Sequence, residues 1–407
     1  MNAADQRRWA VLVTGMVAMA AGCAFQFGLP YLIPALRDEG LTLAQAGVLT
    51  AAPTAGLLVT LIAWGAAADR WGERWVMTAG LGAAGVILLA GSFAGASAGS
   101  FAGASGGPFA GSFAGASAGS FAGAPAGLAV CLFLAGAAAA AVNASSGRLI
   151  LGWFSARERG LAMGLRQAAL PLGVAIAALV LPGLDRHAAL AVLGTFCLAA
   201  AALVAIVVRD PPAPRAAAAG EGSPYRGPVL WRIHAASALL VIPQLTVATY
   251  ALVFLVDLHG WPPSAAGRML AIGQAAGALA RLVAGWWSDR AGSRLRPMRQ
   301  LSLAIAAVLV ALAAGVHSGF AVAALLAAGV ITVSPNGLAF TAVAEHAGRG
   351  WAGRALGIQN TAQNVAAVAA APGMAALITT AGYGTAFGIA VAFPLLAAAV
   401  IPAASSG

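Results

Sequence analysis

The hydrophobic pattern of the chain consists of long apolar runs separated by short polar segments. Runs such as 44–64 and 299–317 are long enough to cross a bilayer, because an α-helix needs about 20 residues to span the roughly 30 Å hydrocarbon layer. Membrane β-barrels instead alternate apolar and polar positions over about ten residues, so these runs predict helices. Segmentation at charged and turn residues predicts twelve spans, numbered 1 to 12: 9–34, 44–64, 75–93, 127–150, 161–182, 188–208, 233–257, 266–287, 299–317, 319–343, 355–379 and 384–402.

The composition supports a membrane protein. Of the 407 residues, 61% are hydrophobic and only 8% are charged, whereas soluble domains have about 25% charged residues. The net charge is +10, and every basic residue counted in it is an arginine. A basic balance is also typical of nucleic-acid-binding proteins, but these arginines have no soluble surface on which to form a patch.

The distribution of arginines predicts the orientation. With both termini on one side, sixteen arginines fall in the segments on that side, and three (Arg37, Arg186 and Arg268) fall on the other. The positive-inside rule therefore places both termini in the cytoplasm. The lysine-free, alanine-rich composition is typical of a GC-rich bacterial gene, so we expect the bacterial inner membrane.

An internal repeat organises the chain. At an offset of 220 residues Gly47 matches Gly267 and Asp69 matches Asp289; at an offset of 193 Asn143 matches Asn336. The predicted domains are a first six-helix bundle (1–208), a cytoplasmic linker (209–232) and a second six-helix bundle (233–407). Duplicated halves of this kind are common in transporters.

The change of offset predicts an insertion of about 27 residues in the first half, between Arg74 and Asn143. Residues 91–126 repeat an eight-residue unit, G-S-F-A-G-A-S-A, and supply this insertion. We expect a disordered loop on the outer side with no part in transport, because Gly, Ala and Ser offer little apolar surface to offset chain entropy. Its phenylalanines could alternatively dip into the membrane interface.

Two loops carry the same motif. The loop after span 2 reads G-A-A-A-D-R-W-G-E-R, and the loop after span 8 reads G-W-W-S-D-R-A-G-S-R. Glycine suits a turn where backbones crowd, the aspartate can lie near a helix N-terminus, and arginine can pair with that carboxylate or with lipid phosphate. The motif residues are Gly65, Asp69, Arg70, Gly72, Arg74, Gly285, Asp289, Arg290, Gly292 and Arg294.

This pair of motifs resembles the signature G-x-x-x-D-R-x-G-x-R of the major facilitator superfamily, in its usual place in both halves. The resemblance covers the chain outside 91–126. It implies an all-α membrane protein with twelve transmembrane helices in two pseudo-symmetric six-helix bundles, working by alternating access. It also implies that the motifs latch the cytoplasmic side in the outward-open state, although they can equally be structural determinants of topology.

The ionisable residues within the spans are few. A charge near the bilayer centre costs at least about 2.5–3.5 kcal/mol, so each one requires an explanation. No carboxylate falls in mid-span, and all five histidines are expected at loops or span ends, so a proton relay has no obvious carrier. Arg281 in span 8 can either reach back to the interface or point into the cavity and bind an anion, because guanidinium matches a carboxylate in two-pronged geometry. Its spacing to Gly285 also resembles facilitators of monocarboxylates and other small organic anions.

Other polar side chains complete the candidate substrate site. Spans 1, 4, 7 and 10 line the cavity in the resembled family, and amides on neighbouring turns of span 11 can bind substrate or join helices. Prolines 30, 34, 243 and 335 are expected to kink the cavity helices. Besides Arg281 the candidates are Gln26, Tyr31, Asn143, Arg166, Gln167, Gln244, Tyr250, Asn336, Asn360 and Gln363.

The predicted function is secondary active or facilitative transport of a small solute, with an organic anion as the candidate substrate. A drug efflux carrier of the same superfamily is one alternative, and a non-transporting membrane sensor or scaffold is another. No enzyme motif, cofactor or metal spacing is present, and Cys23, Cys131 and Cys197 all fall within spans. The expected partners are the bilayer, a small molecule and protons or a counter-solute, with no nucleic acid, and we expect a monomer.

Overall fold

The structure, a computed structural model, describes residues 3–93, 124–154, 159–210, 223–348 and 351–402, and these residues form helices and no strands. Span 1 combines helix Ala3–Gly28, a 3-10 turn Leu29–Leu32 and helix Ile33–Asp38; spans 2 to 6 are the helices Leu43–Trp71, Glu73–Phe93, Ala124–Trp153, Arg159–Val180 and Arg186–Val207. Spans 7 to 9 are the helices Val229–His259, Pro263–Arg290 and Leu295–Ala314, and span 10 combines Phe320–Thr332 and Pro335–Ala347. Spans 11 and 12 are formed by Ala352–Ala390 and Ala392–Val400.

The described helices account for all twelve predicted spans. Ten segments are long and apolar enough to cross a membrane, and one of them, 354–400, has 47 residues. That segment turns back at Gly382, whose φ of 80° interrupts the helix, so it supplies two spans. Span 5 adds the twelfth through a shorter apolar stretch, 168–180. The chain is a multi-pass all-α membrane protein, as predicted.

The span boundaries differ from the predictions by a few residues. Span 2 was expected to end at residue 64 but continues to Trp71, and span 7 begins at Val229 rather than at 233. Backbone hydrogen bonding continues into the interface after the apolar run has ended, which explains the longer helices. Most of the 91–126 insertion and the centre of the linker lie outside the described residues.

Two of the spans expected to kink at proline are broken. Pro30 lies in the 3-10 turn of span 1, and Pro335 begins the second helix of span 10. Pro243 lies inside the continuous helix of span 7.

The linker and both termini lie at one end of the spans, which we call the open end. We call the opposite end the closed end. The names refer to the contacts between the two halves: the halves meet at the closed end and leave spans 2 and 8 uncovered at the open end.

The two halves contact each other at the closed end through small residues. A Cβ atom added to Gly47 of span 2 would lie 2.9 Å from the Cβ of Ala375 in span 11. A Cβ atom added to Gly267 of span 8 would lie 2.6 Å from the Cγ of Pro182, which follows span 5. Since 47 and 267 differ by 220 and 182 and 375 differ by 193, these are two copies of one contact, related by the repeat. Only glycine lets the helices come this close.

An ion pair joins the halves at the same end. Arg37 at the end of span 1 donates from Nη1 to Oδ2 of Asp257 in span 7, with a separation of 2.5 Å. The two positions are again 220 residues apart and thus equivalent in the repeat. The hydroxyl of Tyr383 in span 12 lies 3.4 Å from the same carboxylate oxygen. A pair between equivalent positions lies close to the pseudo-two-fold axis, where the two halves meet.

At the open end, equivalent positions of spans 2 and 8 face open space. A Cβ atom added to Gly65 or to Gly285 would meet no atom within 4 Å. The equivalent residues Ile62 and Leu282 are 85% and 71% exposed. The halves thus meet at one end of the molecule and leave these faces uncovered at the other.

Replacing either closed-end glycine by valine should destabilise the protein. We expect Gly47→Val and Gly267→Val each to lower stability by about 1–3 kcal/mol, because the added atoms overpack a backbone contact. Gly65→Val and Gly285→Val, on the same two spans, are matched controls and should change stability by less than about 0.5 kcal/mol. Thermal unfolding of the purified variants in detergent measures this. Equal shifts at both ends would contradict the proposed contact.

Reversing one charge of the closed-end ion pair should separate the halves there. Arg37→Asp or Asp257→Arg places like charges at the contact, and the double reversal restores an attractive pair. Spin labels at Ala44→Cys and Ser264→Cys, in a background without Cys23, Cys131 and Cys197, report the distance by pulsed electron paramagnetic resonance. We expect a longer or broader distance in each single variant and recovery in the double variant. The coupling should be modest, roughly 0.2–1 kcal/mol, because both side chains are partly exposed. Failure of the double variant to recover would exclude the ion pair as the cause.

Candidate functional site

A polar junction joins three helices of the second half. Gln363 of span 11 donates from Nε2 to the Oγ of Ser237 in span 7 at 2.6 Å and to the Oδ1 of Asn336 in span 10 at 2.7 Å. Gln244, two turns further along span 7 from Ser237, lines a small pocket together with Ser237 and Asn336. Three predicted site residues, Asn336, Gln363 and Gln244, therefore lie together.

The first half has a junction between the equivalent helices. Arg166 of span 5 donates from Nε to the Oγ of Ser146 in span 4 at 2.9 Å. Its Nη2 atom lies 4.0 Å from the Sδ of Met19 in span 1, and its side chain is buried. Spans 1, 4 and 5 of this junction correspond to spans 7, 10 and 11 of the other. One cationic and one neutral polar junction thus join equivalent helices of the two halves, although their residues do not occupy equivalent positions of the repeat.

Arg281 lies on the face of span 8 that is directed at the first half. Gly267, Gln274 and Arg281 are spaced by seven residues, and an α-helix rotates by nearly two full turns over that distance. Gly267 contacts the first half, and the side chain of Gln274 lies beside the hydroxyl of Tyr31 in span 1. Arg281 continues this face toward the open end.

The guanidinium group of Arg281 makes one hydrogen bond, from Nε to the backbone oxygen of Val333 in span 10, at 3.3 Å. Among the described residues no carboxylate forms an ion pair with Arg281, and its two terminal nitrogens have no hydrogen-bond partner. The bond to Val333 orients the side chain along span 10, one turn from Asn336. The fork of terminal nitrogens remains available for a ligand.

Arg281 and Arg166 lie at similar depths. Spans 8 and 5 touch near Gly267 and Ala178, and a Cβ atom on Gly267 would contact the backbone oxygen of Ala178. From that contact Arg281 is 14 residues along span 8 and Arg166 is 12 residues back along span 5. At 1.5 Å per residue these distances are roughly 21 and 18 Å. Each half thus carries one arginine at about the same level, toward the open end.

The two predicted tyrosines lie at the closed end. Tyr250 is fully buried, and its hydroxyl donates to the backbone oxygen of Ala371 in span 11. A Cβ atom on Gly47 would lie 2.8 Å from that hydroxyl, so Tyr250 reaches from the second half to the first. Tyr31 reaches in the opposite direction, to Gln274. In this conformation both tyrosines close the end above the arginines.

The remaining candidates are less tightly grouped. Gln26 is buried in span 1, Asn143 is half-buried in span 4, and Asn360 is half-buried in span 11, where its backbone oxygen accepts from Asn364. Among the described residues, no side-chain hydrogen bond joins these three to the two junctions. Gln167 lies outside the described side chains.

The motif after span 2 binds within its own half. Arg74 donates from Nε to the backbone oxygen of Ala205 in span 6 at 3.0 Å, and its backbone N–H donates to Oδ1 of Asp210 at 2.8 Å. Gly72 has a φ of +83°, and the Asp210 carboxylate lies against it, so the position requires glycine. Arg70 is exposed, and the side chain of Asp69 lies outside the described part of the chain.

The motif after span 8 is also closed upon its own half. Arg294 forms ion pairs with Asp289 and, at 3.1 Å, with Glu345 at the end of span 10. Partial burial opposes the charge of Arg294, but the two carboxylates outweigh it and raise its pKa. Arg290 stacks on Trp286, with its Cζ 3.9 Å from the ring centroid, and Gly292 has a φ of +59°. In this conformation neither set of described motif contacts joins the two halves.

Sequence reasoning missed several residues of this region. Ser146 and Ser237 are small hydroxyl residues with no distinguishing signal of their own, although Ser237 is one heptad from Gln244. Gln274 could have been found from its heptad spacing to Gly267 and Arg281. His234 was expected at a span end, yet it lies in the second turn of span 7 and is only 3% exposed. The apolar pattern predicted a span start at 233, four residues too late, which hid this burial.

The comparisons with known proteins agree with this architecture. A family model described as Major Facilitator Superfamily matches residues 12–371. The chain is 42% identical, over 97% of its length and 85% of the relative's, to the uncharacterized MFS-type transporter Rv2994 of Mycobacterium tuberculosis strain ATCC 25618 / H37Rv.

Solved structures share the fold. A bacterial homolog of the human lysosomal transporter Spinster, in an inward-facing and occupied conformation, aligns with a TM-score of 0.75 at 14% identity, covering 97% of this chain and 96% of that one. A D-xylose-proton symporter aligns with a TM-score of 0.71 at 15% identity, covering 97% of each chain. With the family model matched over most of its length and a relative 42% identical, the chain belongs to the major facilitator superfamily and is a membrane transporter.

Proposed function

We propose that the protein transports a small organic anion by alternating access, and that Arg281 binds the anion. The observation that carries the proposal is the placement of Arg281. It lies on the cross-half face of span 8, and one of its nitrogens is used for orientation while the other two have no partner among the described residues. A planar fork of donors is suited to a carboxylate.

The free-energy cost of placing the Arg281 charge within the membrane supports the binding of an anionic ligand there. An arginine inside the hydrocarbon layer costs several kcal/mol unless it is paired or hydrated, so an uncompensated guanidinium is retained only for a purpose. The repeat does not require it, because the equivalent position in span 2 is Leu61. Arg166 at a similar depth adds a second positive charge from the other half, which favours an anion over a cation or a lipophilic neutral drug.

The proposed mechanism uses the two ends of the molecule. With the termini in the cytoplasm, as the arginine distribution indicates, this conformation is inward-facing and the closed end is the outer gate. Separation of the Gly47 and Gly267 contacts would open that gate, and approach of the uncovered faces of spans 2 and 8 toward the other half would close the inner one. The anion would then cross the bacterial inner membrane in a cycle that uses no nucleotide-binding site.

Substitution of Arg281 tests the anion site. Purified protein in proteoliposomes is assayed for uptake of labelled lactate, pyruvate, succinate and benzoate. We expect Arg281→Gln to weaken uptake roughly 10- to 100-fold, because hydrogen bonds to charged groups contribute about 1.5–3 kcal/mol. Arg281→Lys keeps the charge without the fork and should be intermediate.

Arg268→Gln is the matched control, because Arg268 is an exposed arginine on the same span. It should transport like the unchanged protein. Undiminished carboxylate uptake by Arg281→Gln would overturn the anion site and support efflux of apolar drugs. Absence of flux for every solute in a broad panel would instead support a sensor or scaffold.

A further inference from the structure

A buried histidine joins the linker to the second half. The Nδ1 atom of His234 in span 7 lies 2.5 Å from the Oε1 of Gln359 in span 11, and its Nε2 atom lies 3.0 Å from the hydroxyl of Tyr225. Tyr225 belongs to the linker turn Pro224–Arg226 and is only half-buried. The three side chains form a hydrogen-bonded chain from the aqueous surface of the open end into the helix bundle.

Gln359 occupies a special position in the repeat. Since 359 minus 193 is 166, Gln359 is the second-half equivalent of Arg166. The first half therefore has a permanent cation where the second half has a neutral amide bonded to a titratable imidazole. Protonation of His234 would place a positive charge beside the position that corresponds to Arg166.

Gln359 itself has an unfilled hydrogen-bonding group. Its side chain is fully buried, and its Nε2 atom has no partner among the described residues. Exchanging the amide oxygen and nitrogen would only leave the oxygen without a partner instead, so one end of the amide is open in either assignment. Gln359 lies one turn from Gln363, so this open end belongs to the region of the polar junction.

The hydrogen bonds of His234 accommodate both protonation states. In the neutral form Nδ1–H donates to Gln359, and Nε2 accepts from the Tyr225 hydroxyl. In the protonated form both ring nitrogens donate, and the hydroxyl of Tyr225 rotates to accept. The proton comes from bulk water and binds to the lone pair of Nε2, so no heavy atom has to move.

The surroundings of His234 provide no carboxylate partner among the described residues. On its own helix, Arg232 donates to the backbone oxygen of Val400 in span 12, which lies alongside. Span 11 contributes Gln359 and, at its start, Arg354 stacked on Trp351. The linker contributes Tyr225 and the exposed Arg226, while Glu345 at the end of span 10 is paired with Arg294. The charge on protonated His234 would therefore be balanced by an anion from elsewhere.

We infer that His234 binds the proton that is coupled to anion transport, with Tyr225 as its entrance and Gln359 as its link to the substrate region. This inference rests on the proposed anion transport. A protonated His234 balances the charge of the bound anion in the second half, as Arg166 does in the first. The deprotonated protein binds the anion less well, so proton and anion move together.

Two measurements test this. In the first, nuclear magnetic resonance of ¹⁵N-histidine-labelled protein follows imidazole titration without any substrate, and comparison with His234→Gln assigns the signal. We expect the His234 signal to change from neutral to protonated as the pH is lowered across the range in which the protein stays folded. A signal that stays constant over this range would overturn the inference.

The second measurement compares gradient-driven accumulation with counterflow of the same labelled carboxylates in the same vesicles. One proton per anion gives roughly tenfold accumulation per imposed pH unit. We expect His234→Gln to lose this accumulation, so that the inside and outside concentrations of the anion become equal. Counterflow by the same variant should continue. His346→Gln is the matched control, because that histidine is exposed and its one hydrogen bond among the described residues is to Ala342 of its own helix; this variant should keep the full accumulation.

Tyr225→Phe separates proton binding from proton entry. It should slow gradient-driven accumulation while leaving counterflow as in the unchanged protein, and an unchanged rate of accumulation would exclude Tyr225 as the entrance. Continued gradient-driven accumulation in His234→Gln would overturn the inference while leaving anion transport intact. If the unchanged protein moves none of the carboxylates, the proposed anion transport fails, and the titration still decides whether His234 binds a proton.

Discussion

The cost of placing polar groups in hydrocarbon constrains every part of this structure outside its loops. Backbone groups meet this cost within the helices, so side chains with polar atoms must find partners in neighbouring helices. The two polar junctions show the result. Gln363 donates hydrogen bonds to Ser237 and Asn336, and Arg166 donates one to Ser146. Each junction joins the three corresponding spans of its half. Packing of these halves is therefore specified by a few polar contacts within a largely alanine, leucine and valine interior.

Contact between the halves follows a different principle. Inside the lipid there is no hydrophobic driving force that brings two apolar helices together, so close approach of small residues and a few polar bonds must hold the closed end. Gly47 and Gly267 provide the approach, and the Arg37 pair with Asp257 provides the polar bond. Because the two glycine contacts are copies of each other and the ion pair joins equivalent positions of the repeat, the closed end has two-fold character. In the proposed alternating-access cycle this interface has to separate, and contacts of modest strength suit that.

The sequence was sufficient to predict the fold because its strongest signals are local or repeated. Apolar length gives the spans, and the paired motifs give the family. Side-chain partners are a different matter, since they depend on which helix faces which. Asn336 and Gln363 could be proposed from spacing, but their bond to Ser237 could not, because serine is common in helices of this type. Tyr31 and Tyr250 were polar residues in cavity helices, and only the structure shows that they cross between the halves.

The misjudged start of span 7 shows how a boundary error changes chemistry. Placing the first residue of the span at 233 puts His234 at an aqueous end, where a histidine has no special meaning. Helix Val229–His259 instead carries it into the second turn, against Gln359 and beneath Tyr225. The repeat then adds what neither sequence position shows alone, that the partner of this histidine is the counterpart of Arg166. A duplicated protein can assign a fixed charge to one half and a titratable group to the other, and only the second kind of position can respond to a proton gradient.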